Sequence, residues 1–262
     1  MRIIIRTSKL ASYSRRLASI ALPIFVFSVL LHRSNSIISE TFNLLISIGF
    51  IFAFLGLVLG IAGLIQLWFS GDKGWNRAIT GISIGIICLS PLVYGTIEAQ
   101  KYPNISDIST NPNLNIELIS DIKENKKPQK ITQAELREIF PNLIARNYQI
   151  EANDLYEITL EQAKRKGWQI IKKQPINEIN KKAQINAIKM SLFGWRDEIA
   201  ILILKNENNS FIAMRSASIL ATNDLGKNGK RIETFLVDLD EAVTKYSSKL
   251  LGAEPQETIK HN

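Results

Sequence analysis

Three uninterrupted apolar runs open the chain, and beyond residue 97 the pattern turns into short alternations and helical stripes separated by polar turns. Leu17–Leu31, Phe42–Phe69 and Ala78–Ile97 contain no Asp, Glu, Lys or Arg. About 20 apolar residues cross the hydrocarbon core of a bilayer, so the second and third runs predict spanning helices over 42–69 and 78–97. The first run is shorter, carries Pro23 and follows Arg15-Arg16. It reads either as a third span over about 17–33 that tilts or thins the bilayer, or as the apolar region of a signal peptide. Ser28-Val29-Leu30 is a poor cleavage site, which favours the span. Residues 1–97 are thus expected to form a membrane domain of three transmembrane helices.

Small residues recur inside those runs: Gly49, Ala53, Gly56, Gly60 and Gly63 in the second, Gly81 and Gly85 in the third. Such spacing lets helix backbones approach closely. The expectation is that helices two and three pack on each other across their short loop; a homodimer interface or a conduit is the alternative. The runs hold no acid or base, so a transporter-type ion path lacks its usual residues.

Residues 98–131 read as a linker, with Pro103, Pro112 and Pro128, many Asn and Ser, and the charged run Lys123–Lys127. An α+β domain is predicted over 132–252, followed by a polar tail, 253–262. Thr132 and Glu135 form a capping box for a helix that stops before Pro141. Arg146–Glu151 suits a short strand. Asp154 with Glu157 suggests a second capping box, for a helix ending at Gly167. Four strands follow, over Trp168–Lys173, Ile179–Met190, Glu198–Lys205 and Phe211–Leu220, with an Asn-rich hairpin turn at 206–210. Ile232, Phe235, Leu236, Leu239, Val243, Tyr246 and Leu250 then recur at steps of three and four, predicting a long C-terminal helix whose stripe the sheet covers over five turns. The fold class expected is three N-terminal transmembrane helices followed by an antiparallel sheet packed on that helix.

Charge sharpens the topology. The formal net charge of +8 would suit nucleic acid if it sat on the polar half, but residues 98–262 are almost balanced and no basic stripe of the kind phosphates require is visible. The excess lies on the membrane half, where eight Lys/Arg face only Glu40 and Asp72. Five basic residues precede the first run, and Lys73 and Arg77 lie between runs two and three; the opposite side offers Arg33 and Lys101. Short basic loops stay cytoplasmic. The N-terminus is therefore expected on the cytoplasmic side of the membrane, with the polar domain outside the cytoplasm.

The single cysteine, Cys88, lies in the third run, and the histidines are His32 and His261. Zinc sites of the Cys/His kind and His-based nucleophilic triads thus have no residues in the polar domain. No metal, cofactor or catalytic residue is assigned.

One stretch reads as a signature: Leu192-Phe193-Gly194-Trp195-Arg196-Asp197-Glu198, then Arg215-Ser216-Ala217-Ser218, then Asp224-Leu225-Gly226-Lys227-Asn228-Gly229-Lys230-Arg231-Ile232. It resembles the bacterial "domain of unknown function 1499" family, whose pattern is an aromatic-rich turn, an acidic pair, R-S-x-S-R and D-x-G-x-N-x-x-R-[IV]. The resemblance covers roughly Pro103–Leu239, with Phe140-Pro141 and Gly167-Trp168 as upstream landmarks. Members with three N-terminal membrane helices are familiar, and the family has no established biochemical activity. This sequence departs at Ile219, where the family has a second Arg, and at Glu198, where it has Asp. In a typical member that Arg could pair with Asp197; here Asp197 or Glu198 must find Arg196, Arg215 or solvent.

The candidate cluster is Asp197, Glu198, Arg215, Ser216, Ser218, Asp224, Asn228 and Arg231. Alternation along 211–220 puts Arg215 on one face and Ser216 and Ser218 on the other. As a structural network, Asp224 caps the turn and Arg231 ties the last helix to the sheet. As a functional site, the paired carboxylates supply general acid/base chemistry and Arg215 holds an anion. Three functions follow: a membrane-tethered module that binds an envelope protein or polymer, a small apolar-ligand or lipid binder, and a metal-independent hydrolase using the acidic pair. The lipid bilayer is the one partner the sequence itself implies.

Overall fold

The computed structural model describes residues 6–120, 131–177, 179, 181–207 and 209–253. The chain divides into two compact units: Met1–Lys101 with Leu192–Gly194, and Tyr102–Ser191 with Trp195–Asn262.

The first unit contains three helices, α1 (Lys9–Arg33), α2 (Ser39–Ser70) and α3 (Trp75–Lys101), each long and apolar enough to cross a membrane. Helix α1 is 25 residues long because the basic stretch from Lys9 to Arg16 is helical too. At 1.5 Å per residue that is about 37 Å, enough for the hydrocarbon core despite Pro23. The glycines set the packing, and they receive α1 as much as each other. Gly56 faces the Ala18 backbone, Gly63 the Ala11 backbone and Gly81 the Ser14 backbone, while Gly85 meets α2 at Ala53 and Leu57. Ser14 Oγ donates to the Gly56 carbonyl at 2.7 Å. Helices α2 and α3 pack on each other as expected, and α1 joins them on the small-residue face of α2. At one end of this unit the basic N-terminal segment joins the basic loop before α3. The Ser8 N–H donates to Lys73 O, and the Lys73 N–H to Arg6 O, at 3.0 and 2.9 Å.

The second unit is an α+β domain. Its strands are β1 (Asp107–Ser109), β2 (Arg146–Tyr148), β3 (Gln169–Gln174), β4 (Lys182–Met190), β5 (Arg196–Lys205) and β6 (Ser210–Ser218). All pairings are antiparallel, in the order β1-β6-β5-β4-β3. The outer edge of β6 is shared end to end by β1, opposite 215–217, and β2, opposite 210–212. Helices α4 (Gln133–Ile139), α5 (Ala152–Arg165) and α6 (Lys227–Ala253) complete the domain. The predicted α4 cap is present: Thr132 Oγ1 accepts the Glu135 N–H, and Glu135 Oε2 accepts the Thr132 N–H. The second box is not. Helix α5 starts after Glu151, which makes no side-chain cap, and Asp154 lies inside the first turn, where its charge still favours the helix dipole.

One face of the sheet buries its apolar residues against α5 and α6. Ile185, Ile199, Ile201, Ile212 and Met214 meet Leu155, Ile232, Phe235, Leu236 and Leu239, all at most 1% exposed. Trp168 stacks on Phe235 with ring centroids 4.7 Å apart. Side chains therefore fill the space between sheet and helices, where an apolar-ligand binder would need a cavity. The stripe of α6 is buried as far as Val243 and then emerges, with Leu250 50% exposed, so the sheet covers fewer turns than the periodicity implied.

The segment 98–131, a linker by composition, divides between several structural roles. Helix α3 continues to Lys101, β1 is a sheet strand, and Ile105, Ile108 and Ile116 are buried in the domain. Pro103, Pro112 and the Asn residues at 104, 111, 113 and 115 punctuate a strand and an irregular strap, 111–120, which lies over the second face of the sheet, while Pro128 and the charged run 123–127 lie outside the described residues. There Ile116 packs with Ala200, Leu202 and Ala213, flanked by Leu114 and Leu118.

Candidate functional site

The signature residues separate into two groups on opposite faces of the sheet. Asp197 and Glu198 are consecutive on β5, so the pleat sends their side chains to opposite sides. They cannot act as a carboxylate pair on one substrate. The general acid/base reading of the acidic pair, and with it the hydrolase that used it, is corrected on this ground.

On the helix face six of the predicted residues converge. Register places Asp197 opposite Ser218. Asp197 Oδ1 accepts the Ser218 hydroxyl at 2.6 Å, and Oδ2 accepts Arg231 Nη2 at 2.5 Å. Arg231 Nη1 also donates to Ser216 Oγ at 2.8 Å and to Asn228 Oδ1. The Ser216 hydroxyl donates to Asn228 Oδ1 at 2.7 Å. The Asn228 amide in turn donates to the Ser106 carbonyl at 3.1 Å and to Ser218 Oγ at 3.2 Å. Asp224 holds the start of α6: its carboxylate accepts the Gly226 and Asn228 N–H groups, both at 2.8 Å. Burial pushes the Asp224 carboxyl above its ordinary range, against the opposing pull of those two N–H groups. The turn needs positive φ at both Leu225 and Gly226. At 226 a Cβ would also strike the Tyr102 ring, so only glycine fits there.

Asp197, Ser216, Ser218, Asp224 and Asn228 are all buried. The Asp197–Arg231 pair is 8% and 14% exposed at its side chains. The expectation that Asp197 would turn to Arg196, Arg215 or solvent is therefore corrected. Its partner is Arg231, one turn along α6 from Asn228, and it does not depend on the residue at 219.

Glu198 and Arg215 occupy the other face, beneath the strap. Glu198 is 0% exposed. Its carboxylate accepts the Ile119 and Ser120 N–H groups at 2.7 and 2.8 Å and the Asn186 amide at 3.0 Å. Arg215 binds Asp107 through two nitrogens at 2.7 and 3.0 Å and donates to the Ile116 carbonyl at 3.0 Å. The hydrogen bond to Asp107 raises the guanidinium pKa further, with burial opposing it. The anion that Arg215 holds is thus a carboxylate of the same domain.

Asp107, Gln184 and Asn186 complete this second group and were not among the predicted residues. The signal for Gln184 and Asn186 was present in the alternation of β4, where Ala183, Ile185 and Ala187 face the helices and two amides interrupt the opposite face. Asp107 had no such signal, since its strand lies in a segment with linker composition.

The architecture defines a class: three membrane-capable helices joined to a small antiparallel α+β domain. The model of the family described as "Protein of unknown function (DUF1499)" matches residues 107–239, and the chain belongs to that family. The match begins at β1 and ends in α6, and it includes every signature residue of both faces. A comparison with curated proteins finds no match.

Proposed function

We propose that this protein is a non-catalytic binding module, held in a bacterial plasma membrane by three spans and presenting its α+β domain outside the cytoplasm. One observation carries the reading. The polar side chains of the signature hydrogen-bond to side chains or main chain of their own domain, so they hold α6, β1 and the strap in place. A group spent in this way on structure is not poised for proton transfer to a substrate, which requires a reacting atom within hydrogen-bond reach. The orientation is supported by the charge pattern: the two basic segments, at the N-terminus and between α2 and α3, adjoin at one end of the membrane unit, as a shared cytoplasmic side requires. The packed core speaks for a protein or envelope-polymer partner over an internal apolar ligand.

Photo-crosslinking in intact cells tests this reading. A photoreactive residue placed at exposed positions of the full-length chain, such as Lys172 on β3 or Glu241 on α6, should capture a discrete envelope protein or polymer from some positions and not others. Crosslinks to lipid alone, or none from any exposed face, would overturn it.

A further inference from the structure

The polar groups beneath the strap, which lie on three different strands, converge on the main chain of one irregular segment. The Gln184 and Asn186 amides both donate to the Glu117 carbonyl, at 2.8 and 2.9 Å. Glu198 takes the successive N–H groups of residues 119 and 120, and Arg215 the carbonyl of residue 116. Side chains along the strap alternate. Residues 114, 116 and 118 turn toward the apolar floor of Ala200, Leu202 and Ala213, while 115, 117 and 119 are exposed. Backbone held by fixed polar groups, with alternate side chains in an apolar floor, is the chemistry by which extended peptides are recognised.

The strap is held to the sheet by side chains alone. It makes no ladder with the sheet, and the Ile116 N–H is spent locally on the Leu114 carbonyl at 3.0 Å. The fully buried Glu198 carboxylate also sets a condition on whatever replaces it. A buried charge left unpaired is strongly unfavourable, so an incoming segment must supply two successive N–H groups.

We propose that this face of the sheet is a binding site for an extended segment of a partner protein, with apolar residues at every second position, and that residues 114–120 hold the site closed until the partner displaces them. The proposal rests on the reading of the domain as a binding module and names the class of its partner. A second copy's identical segment is a poor competitor, because the strap acts at the effective concentration of a tethered ligand, on the order of millimolar. A foreign segment faces the same tethered rival and displaces it only by binding the floor and Glu198 more tightly than the strap does.

The test uses the full chain in detergent micelles and a fluorescent synthetic peptide of residues 112–120 as the probe. Weakening the strap with Ile116→Ala and Leu118→Ala removes intramolecular competition, and should tighten probe binding at least ~10-fold over the wild type. Adding Glu198→Gln, which loses an acceptor, should abolish that gain. Hydrogen exchange on the wild type provides a measurement independent of any variant. The Ile119 and Ser120 amides should exchange at least ~100-fold faster than that of Ile201 in β5, as a segment that opens on its own does. Equal protection of strap and β5 overturns the proposal. So does failure of the probe to bind a double variant that keeps the wild-type circular dichroism, or a concentration-dependent dimer that binds no probe. If any of these occurs while crosslinking in cells still captures a partner, the binding-module reading stands and only this site falls.

Discussion

Truncating Arg231 should unfold most of the margin on which the α+β domain stands. Arg231→Met keeps the aliphatic stem against the sheet but removes the partner of the Asp197 carboxylate, leaving that charge with the Ser218 hydroxyl alone. With the pair 14% and 8% exposed, solvent does little to compensate, and breaking a buried pair costs about 3–5 kcal/mol. A domain's whole stability is about 5–15 kcal/mol. With a urea slope of about 2 kcal/mol per molar, the midpoint should fall by about 1.5–2.5 M. The companion variant Asp197→Leu/Arg231→Met removes both charges. Ser216 and Ser218 then keep Asn228 as partner, so the double change should cost about 2 kcal/mol less than the summed singles. Urea unfolding of the full chain in micelles, in a Trp68→Phe/Trp75→Phe background so that emission comes from Trp168 and Trp195, reads both quantities. A loss under about 1 kcal/mol for Arg231→Met, or strict additivity in the cycle, would refute the claim that this pair braces α6 to the sheet.

Other consequences follow from the same geometry. Phe235, fully buried and stacked on Trp168, should cost about 3–5 kcal/mol as Phe235→Ala, whereas exposed Glu241→Ala should change the urea midpoint little. Asp224 gives a pH signature. Burial raises its folded-state pKa, so its contribution to stability is fullest below the ordinary aspartate value of 3.8 and is lost as pH rises through the raised value. The stability difference between wild type and Asp224→Asn, followed by urea titration, should therefore shift against the wild type with rising pH across that window; a difference that moves the other way contradicts the burial argument. In the membrane unit, Gly81→Leu drives a side chain into the Ser14 backbone, while Gly95 has nothing within 4 Å. Thermal aggregation in micelles should come markedly earlier for the first variant and remain near wild type for Gly95→Leu.

The membrane helices and most of the sheet were legible in the sequence because their signals are local. Long charge-free apolar runs point to membrane spans, short runs of strand-forming residues bounded by polar turns marked β4, β5 and β6, and alternation along 211–220 set the opposite placement of Arg215 and Ser216. The partner of Asp197 was not legible. Arg231 lies 34 positions away, and only the docking of α6 on the sheet brings it in. The strap was hidden by composition: Pro and Asn mark a loop whether it is solvated or laid over a sheet, and what fixes 111–120 is side chains on β4, β5 and β6. Leu114, Ile116 and Leu118 did carry a period of two, but a short apolar alternation inside a Pro-rich stretch has little weight until the surface beneath it is known.

A pair of fusions at Asn262 tests most directly the proposal that the membrane unit presents the α+β domain outside the cytoplasm. Alkaline phosphatase joined there should be active, and a green fluorescent protein that fails to mature after export should stay dark. Bright cytoplasmic fluorescence together with an inactive phosphatase would contradict it, placing the domain inside the cell and reversing the reading of the basic loops.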